Sequence, residues 1–226
     1  MNCEITQVHY LYRHGARYPS VGALPSTFAK KLNASVHGNV SASGPLSFLN
    51  TWTYKLGAEL LTPFGRLQNY ALGVEGRQLY GHLLNNFTAQ GTIPVFRTES
   101  QDRMVKTAEN FAAGFFGVPE YLDEVNIEIV VEAAGFNDTG APYEVCRNSN
   151  NYRGSLGSAV ANNFSNTAFA GTVKRLQSYL NGINITATDV LSMLELCAFE
   201  TDALGSSEFC GLFTADEFAD FEYYFE

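Results

Sequence analysis

Residues 4–12, Glu-Ile-Thr-Gln-Val-His-Tyr-Leu-Tyr, alternate apolar and polar side chains and predict a strand that Gly15 and Pro19 bring to an end. From Leu61 to Phe87 the apolar spacing becomes helical, with Leu67, Leu72, Leu79 and Leu83 on or near one face, which predicts a helix that tolerates internal glycines. Residues 92–100 predict a second strand. The helix expected after it takes Ser100 as its cap and Asp102 into its first turn. Residues 125–135 predict a third strand. About thirty residues between strand starts is the spacing of a right-handed crossover, so these last two strands are expected to be parallel neighbours.

Beyond Phe136 the chain turns to Asn-, Ser- and Gly-rich loops and then to helices expected over 166–182, 186–197 and 214–225. Thr214 and Glu217 have the spacing of a capping box for the last of these. The fold class is therefore α/β over 1–136, with a parallel-rich sheet flanked by helices, followed by a second, mostly helical domain over 137–226. No internal repeat or low-complexity tract interrupts it.

With 226 residues, 46% of them hydrophobic and 16% charged, the chain can bury a core. No run reaches the roughly 18 apolar residues of a membrane helix, so no membrane partner is expected. Met1 leads almost directly into the first strand, and any export signal is expected outside this chain. A net charge of -9 argues against a nucleic-acid surface, which needs a basic face. A local gathering of arginines is then the exception to be explained.

Six Asn-x-Ser/Thr sequons, at Asn33, Asn39, Asn86, Asn137, Asn163 and Asn184, exceed the roughly two or three that composition produces by chance and point to a glycosylated, exported protein. The four cysteines, Cys3, Cys146, Cys197 and Cys210, have no metal-site spacing. Disulfides are the better reading for an exported chain, with Cys197 and Cys210 bracketing a turn-rich loop; buried thiols are the alternative. Neither a metal nor a cofactor is called for.

The arginines gather in Arg13-His14-Gly15-Ala16-Arg17-Tyr18-Pro19, at the end of the first predicted strand. Two planar guanidinium forks suit a tetrahedral oxyanion, and Gly15 lets the backbone approach it. Cations beside an imidazole disfavour its protonated form, so His14 should stay neutral below its usual value near 6.5. A neutral imidazole held against phosphorus is a nucleophile, and the chemistry implied is phosphoryl transfer through a phosphohistidine.

The same seven residues resemble the signature of the histidine acid phosphatases, the fungal acid phosphatase and phytase branch of the histidine phosphatase superfamily. Further stretches resemble fungal members: Leu61 to Tyr80, Phe96 to Phe115, and the segments around Cys197 and Cys210. The resemblance implies a histidine-phosphatase-like fold, with His14 as nucleophile and Arg13, Arg17 and Arg103 holding the phosphate of a monoester, phytate being one candidate. Arg103 also falls in the first turn of a predicted helix, where an anion is favoured. A helix-surface fate competes with a substrate role for Lys30 and Lys31.

The family's proton donor lies in a His-Asp pair, and no His-Asp dipeptide occurs here: His9, His37 and His82 are each followed by another residue. The chain is therefore expected to be an amino-terminal fragment with an incomplete sheet. A phosphate-binding fragment without catalysis is the alternative function. By the same resemblance Cys197 and Cys210 pair with each other, whereas Cys3 and Cys146 have partners outside the chain, and the whole protein is secreted or held in the cell wall.

Overall fold

The computed structural model describes residues 3–36, 40–84, 90–146, 148–149 and 155–225. Its elements follow the order α1 (Leu24–Val36), β1 (Ser41–Ala42), α2 (Pro63–Tyr80), β2 (Val95–Glu99), α3 (Asp102–Phe116), α4 (Tyr121–Glu124), β3 (Asn126–Val130), α5 (Pro142–Val145), α6 (Leu156–Ala168), α7 (Ala170–Gln177), β4 (Leu180–Asn181), α8 (Ala187–Leu204) and α9 (Ala215–Tyr224). They divide into two compact units, one made of Met1–Arg17 and Leu60–Arg147, the other of Tyr18–Glu59 and Asn148–Glu226.

In the first unit β2 and β3 pair in parallel, with Val95 opposite Asn126 and Glu99 opposite Val130, the neighbour relation that the strand spacing predicted. The helix between them, α3, returns the chain and packs Phe111, Ala112 and Phe115 inward. Phe96 of β2 meets Phe111, Phe115 and Phe116 at ring separations of 5.5, 6.1 and 5.7 Å. Tyr12 stacks on Phe111 at 5.0 Å and thereby ties the segment before the arginine motif to the same aromatic cluster.

Residues 4–12 form no strand. Alternation makes a segment fit for a sheet, but a ladder also needs the segment to be laid along an open strand edge; among the described residues β2 and β3 pair only with each other, and Tyr12 packs on Phe111 of α3 instead.

Helix α2 begins as its sequence dictates: Pro63 occupies the first turn, and the Thr62 hydroxyl accepts from the Gly65 amide at 3.0 Å. The face it buries differs from the expected one. Leu67 and Leu79 are exposed, whereas Gly65, Asn69, Gly73 and Gly76 are buried. The seam against α3 is made of backbone in close approach: a Cβ on Gly73 would sit 2.1 Å from the Phe111 carbonyl oxygen, and one on Gly114 would sit 2.0 Å from that of Tyr70. The glycines are thus the contact surface itself. After Tyr80 the helix tightens into a 3-10 turn over Gly81–Leu84.

In α3 Gln101 takes the cap position assigned to Ser100. The Ser100 hydroxyl instead accepts from the Glu132 amide at 3.0 Å, across the ends of the two strands.

The second unit is built around α8, whose buried positions run almost all the way round: Val190, Leu191, Met193, Leu194 and Leu196 are each at most 2% exposed. It is a core helix, and each large aliphatic side chain so buried contributes about 1.5–3 kcal/mol of transfer free energy. Phe28 and Leu32 of α1, Phe169, Leu176 of α7 and Phe209 join the same core. The helix expected over 166–182 is two helices, α6 and α7, that meet at Phe169. A capping box of Thr186 and Asp189 opens α8, which runs on to Leu204, and Gly205 closes it in the left-handed conformation that glycine adopts at least cost. The Thr214–Glu217 capping box expected for α9 is present.

Two buried polar clusters brace this unit. The Glu200 carboxylate accepts from the Trp52 indole at 2.9 Å and from the Ser207 hydroxyl at 2.6 Å. Asp189 pairs with Lys31 at 2.5 Å, so Lys31 is engaged within the fold while Lys30 is exposed. Cys197 and Cys210 are joined in a disulfide, Cα atoms 4.7 Å apart, and Cys3 and Cys146 are exposed.

Candidate active site

Residues 13–17 of the arginine motif lie in the first unit, where α2 holds them from one side, and Tyr18 and Pro19 are counted with the second. Arg17 bridges to Leu61 in antiparallel fashion. The Ala16 carbonyl accepts from the Thr62 amide at 3.0 Å and the Thr62 hydroxyl at 3.3 Å, and the Ala16 amide donates to Oε1 of Gln68 at 2.8 Å. Gly15 is required by contact, because a Cβ there would sit 2.2 Å from the Gly65 carbonyl oxygen and 2.5 Å from Nδ2 of Asn69. Gly65 is required for the same reason in reverse: its Cβ would lie 1.9 Å from the Ala16 carbonyl oxygen. Asn69, almost fully buried, donates to Gly65 at 2.8 Å and to the Thr107 hydroxyl at 3.3 Å, which links α2 to α3 beneath the loop.

His14 is half-buried, and its Nδ1 lies 2.7 Å from the Gly15 carbonyl oxygen. A carbonyl can only accept, so Nδ1 bears the proton and the neutral ring presents its lone pair at Nε2. Burial lowers the pKa of His14; the Gly15 contact acts the other way, and the guanidiniums of Arg13, Arg103 and Arg17 lower it further. The expected cation effect is therefore present, but desolvation exceeds it. The fold thus brings Arg103 within electrostatic reach of His14 together with Arg13 and Arg17. Arg103 stands in the first turn of α3, where the helix dipole adds positive potential.

Composition and periodicity left a group of carboxyls at the ends of β2 and β3 unassigned. Burial raises the pKa of Glu99, as do Glu132, Asp138 and a hydrogen bond to Glu132, while Arg103 lowers it. Gln101 donates to Glu132, and the buried Asp138 accepts from the amides of Gly140 at 2.8 Å and Ala141 at 3.3 Å. Gln68 and Thr62 were likewise missed, since nothing in a local pattern says that their partner lies some fifty residues earlier.

Among the described residues no group of three His, Cys, Asp or Glu side chains is arranged to hold a metal ion, and no helix is long and apolar enough to cross a membrane. His9 is exposed beside Gln7, His82 is exposed in its 3-10 turn, and His37 lies outside the described residues. Of the sequon asparagines, Asn33, Asn137, Asn163 and Asn184 are exposed, and Asn39 and Asn86 lie outside the described residues.

The first unit thus sets an imidazole within electrostatic reach of three guanidiniums, on a loop held against α2 through glycines. Residues 4–225 match the family model described as "Histidine phosphatase superfamily (branch 2)", and the chain belongs to that family. It is 34% identical over 236 residues to Phytase A of Aspergillus fumigatus and 32% identical over 238 residues to Phytase A of Aspergillus oryzae; each comparison covers 98% of this chain and 48% of the relative. A thiamine-repressible acid phosphatase of Schizosaccharomyces pombe is 33% identical over 98% of this chain and 50% of its own length. The crystal structure of the phytase from D. castellii superposes with a TM-score of 0.75 at 28% identity, covering 93% of this chain and 47% of that one. The chain thus spans about half the length of the curated relatives it matches.

Proposed function

We propose that the protein to which this chain belongs hydrolyses phosphate monoesters through a phosphohistidine on His14. One observation carries the reading: the Gly15 carbonyl holds the proton on Nδ1 and leaves the Nε2 lone pair available inside a frame of Arg13, Arg17 and Arg103. In the first step Nε2 attacks phosphorus, an N–P bond forms and the ester P–O bond breaks. The three guanidiniums offset the charge on the non-bridging oxygens as this happens. The leaving alkoxide takes a proton from an acid, the role that the family resemblance assigns to a His-Asp pair. Water then cleaves the N–P bond, releasing inorganic phosphate and regenerating the imidazole.

The substrate class is that of the relatives named phytase and acid phosphatase, with phytate one member. The exposed sequon asparagines and the Cys197–Cys210 disulfide support a secreted glycoprotein. We infer further that the parallel pair β2–β3 belongs to a larger parallel-rich sheet, with a division into an α/β portion and a helical portion near residue 136. In support, β2, α3 and β3 precede that point and α6 to α9 follow it, with residues 18–59 packing in the unit of the later helices.

The test is labelling with a radioactive phosphomonoester followed by quenching. Wild type should trap phosphohistidine and His14→Ala none, so label retained in that variant overturns the assignment. Comparing p-nitrophenyl phosphate with an alkyl phosphate then isolates the contribution of the acid, since only the second has a leaving group that needs protonation.

A further inference from the structure

One peptide unit links Gln68 to the proposed nucleophile. The amide of the Gly15–Ala16 peptide donates to Oε1 of Gln68 at 2.8 Å, and the carbonyl of the same peptide accepts from Nδ1 of His14 at 2.7 Å. We propose that Gln68 is a positioning residue that sets the tautomer and orientation of His14 through this peptide, a role that rests on the phosphohistidine reading above. Drawing on the amide places more negative charge on the carbonyl oxygen of the same unit, so that oxygen becomes the better acceptor for the imidazole proton. Thr62 fixes the next peptide by binding the Ala16 carbonyl, and the contact of Gly15 with Gly65 prevents the loop from sliding along α2. With both neighbours anchored, the remaining freedom of the Gly15–Ala16 peptide is rotation about its flanking bonds, and the Gln68 acceptor is the group that limits it. The device resembles the third member of a catalytic triad in effect, except that a neutral amide acts through backbone where a carboxylate usually acts directly. A neutral acceptor suits this site, because a carboxylate there would raise the basicity of an imidazole that burial and then the arginines hold neutral.

Nitrogen-detected NMR of the His14 ring, with and without inorganic phosphate, tests this without requiring turnover. Wild type should show the proton on Nδ1. Gln68→Leu should shift the ring toward a tautomer mixture and slow phosphohistidine formation about tenfold, with phosphate affinity changed less than threefold; one hydrogen bond of this kind accounts for a loss of that size. Gln68→Glu keeps the acceptor, so it should retain the Nδ1 proton and raise the His14 pKa. A solvent molecule taking the place of the exposed Gln68 side chain would leave the tautomer unchanged in Gln68→Leu, and that result overturns the proposal. So does a Gln68→Glu protein whose His14 titrates as in wild type, a result that stands even if the leucine variant fails to fold. Should wild type form no phosphohistidine, the enzymatic reading falls while the tautomer measurement still decides the role of Gln68.

Discussion

At position 14 two influences act on one ring in the same direction. Burial and then the guanidiniums of Arg13, Arg103 and Arg17 hold the imidazole below its ordinary pKa, against the opposing pull of the Gly15 carbonyl. The neutral form therefore persists to lower pH, and it is lost only as pH falls through the lowered value. The acid limb of phosphohistidine formation should lie below pH 6.5, and Arg103→Gln should move it upward; a limb at or above 6.5 in wild type would contradict the electrostatics. Linkage has the same sign. Below about 6.5 the unfolded chain binds a proton that the folded chain resists, so this group makes stability fall as pH falls. Glu195 on α8 behaves oppositely, because burial pushes its carboxyl up to about 7. Between about 4.5 and 7 the folded state keeps a proton that the unfolded state has released, and stability falls as pH rises. Denaturation at pH 5 and pH 8 should differ by an amount on the order of 1–3 kcal/mol from this group, and Glu195→Gln should remove that difference.

Helix α2 performs two tasks with one sequence. Its first turns grip the arginine loop through Thr62, Gly65 and Gln68, and its glycine face lies on α3. Glycines at those positions lower helix propensity by about 1 kcal/mol each, a cost the close packing offsets. In the other unit, Cys197–Cys210 ties the last turns of α8 to the 3-10 segment Glu208–Leu212 that contributes Phe209 to the core. Closing a loop of 13 residues' separation should stabilise the fold by about 2–4 kcal/mol, and reductant should lower the urea midpoint accordingly. An unchanged midpoint would show that the loop is held without it.

Across the molecule, protection should follow burial. Amide exchange should be slowest in α8, which is enclosed on nearly every side, and fastest over 3–12, which joins neither helix nor strand. Slow exchange in the latter segment would mean a partner strand exists in solution. Much of this was legible from local chemistry: Thr214 and Glu217 announced a helix start, the spacing of β2 and β3 announced a parallel pair, and the arginines around His14 announced a cation effect on its ring. These are relations between residues a few positions apart, or between types that only one kind of chemistry assembles. The nitrogen of His14 that keeps its lone pair, the choice of glycines over leucines as the buried face of α2, and the grip of Gln68 on Ala16 depend on partners brought together by packing. A sequence pattern states what a side chain prefers to face; which backbone atom arrives there is set when the chain closes on itself, because that contact is decided by distance in space and not along the chain.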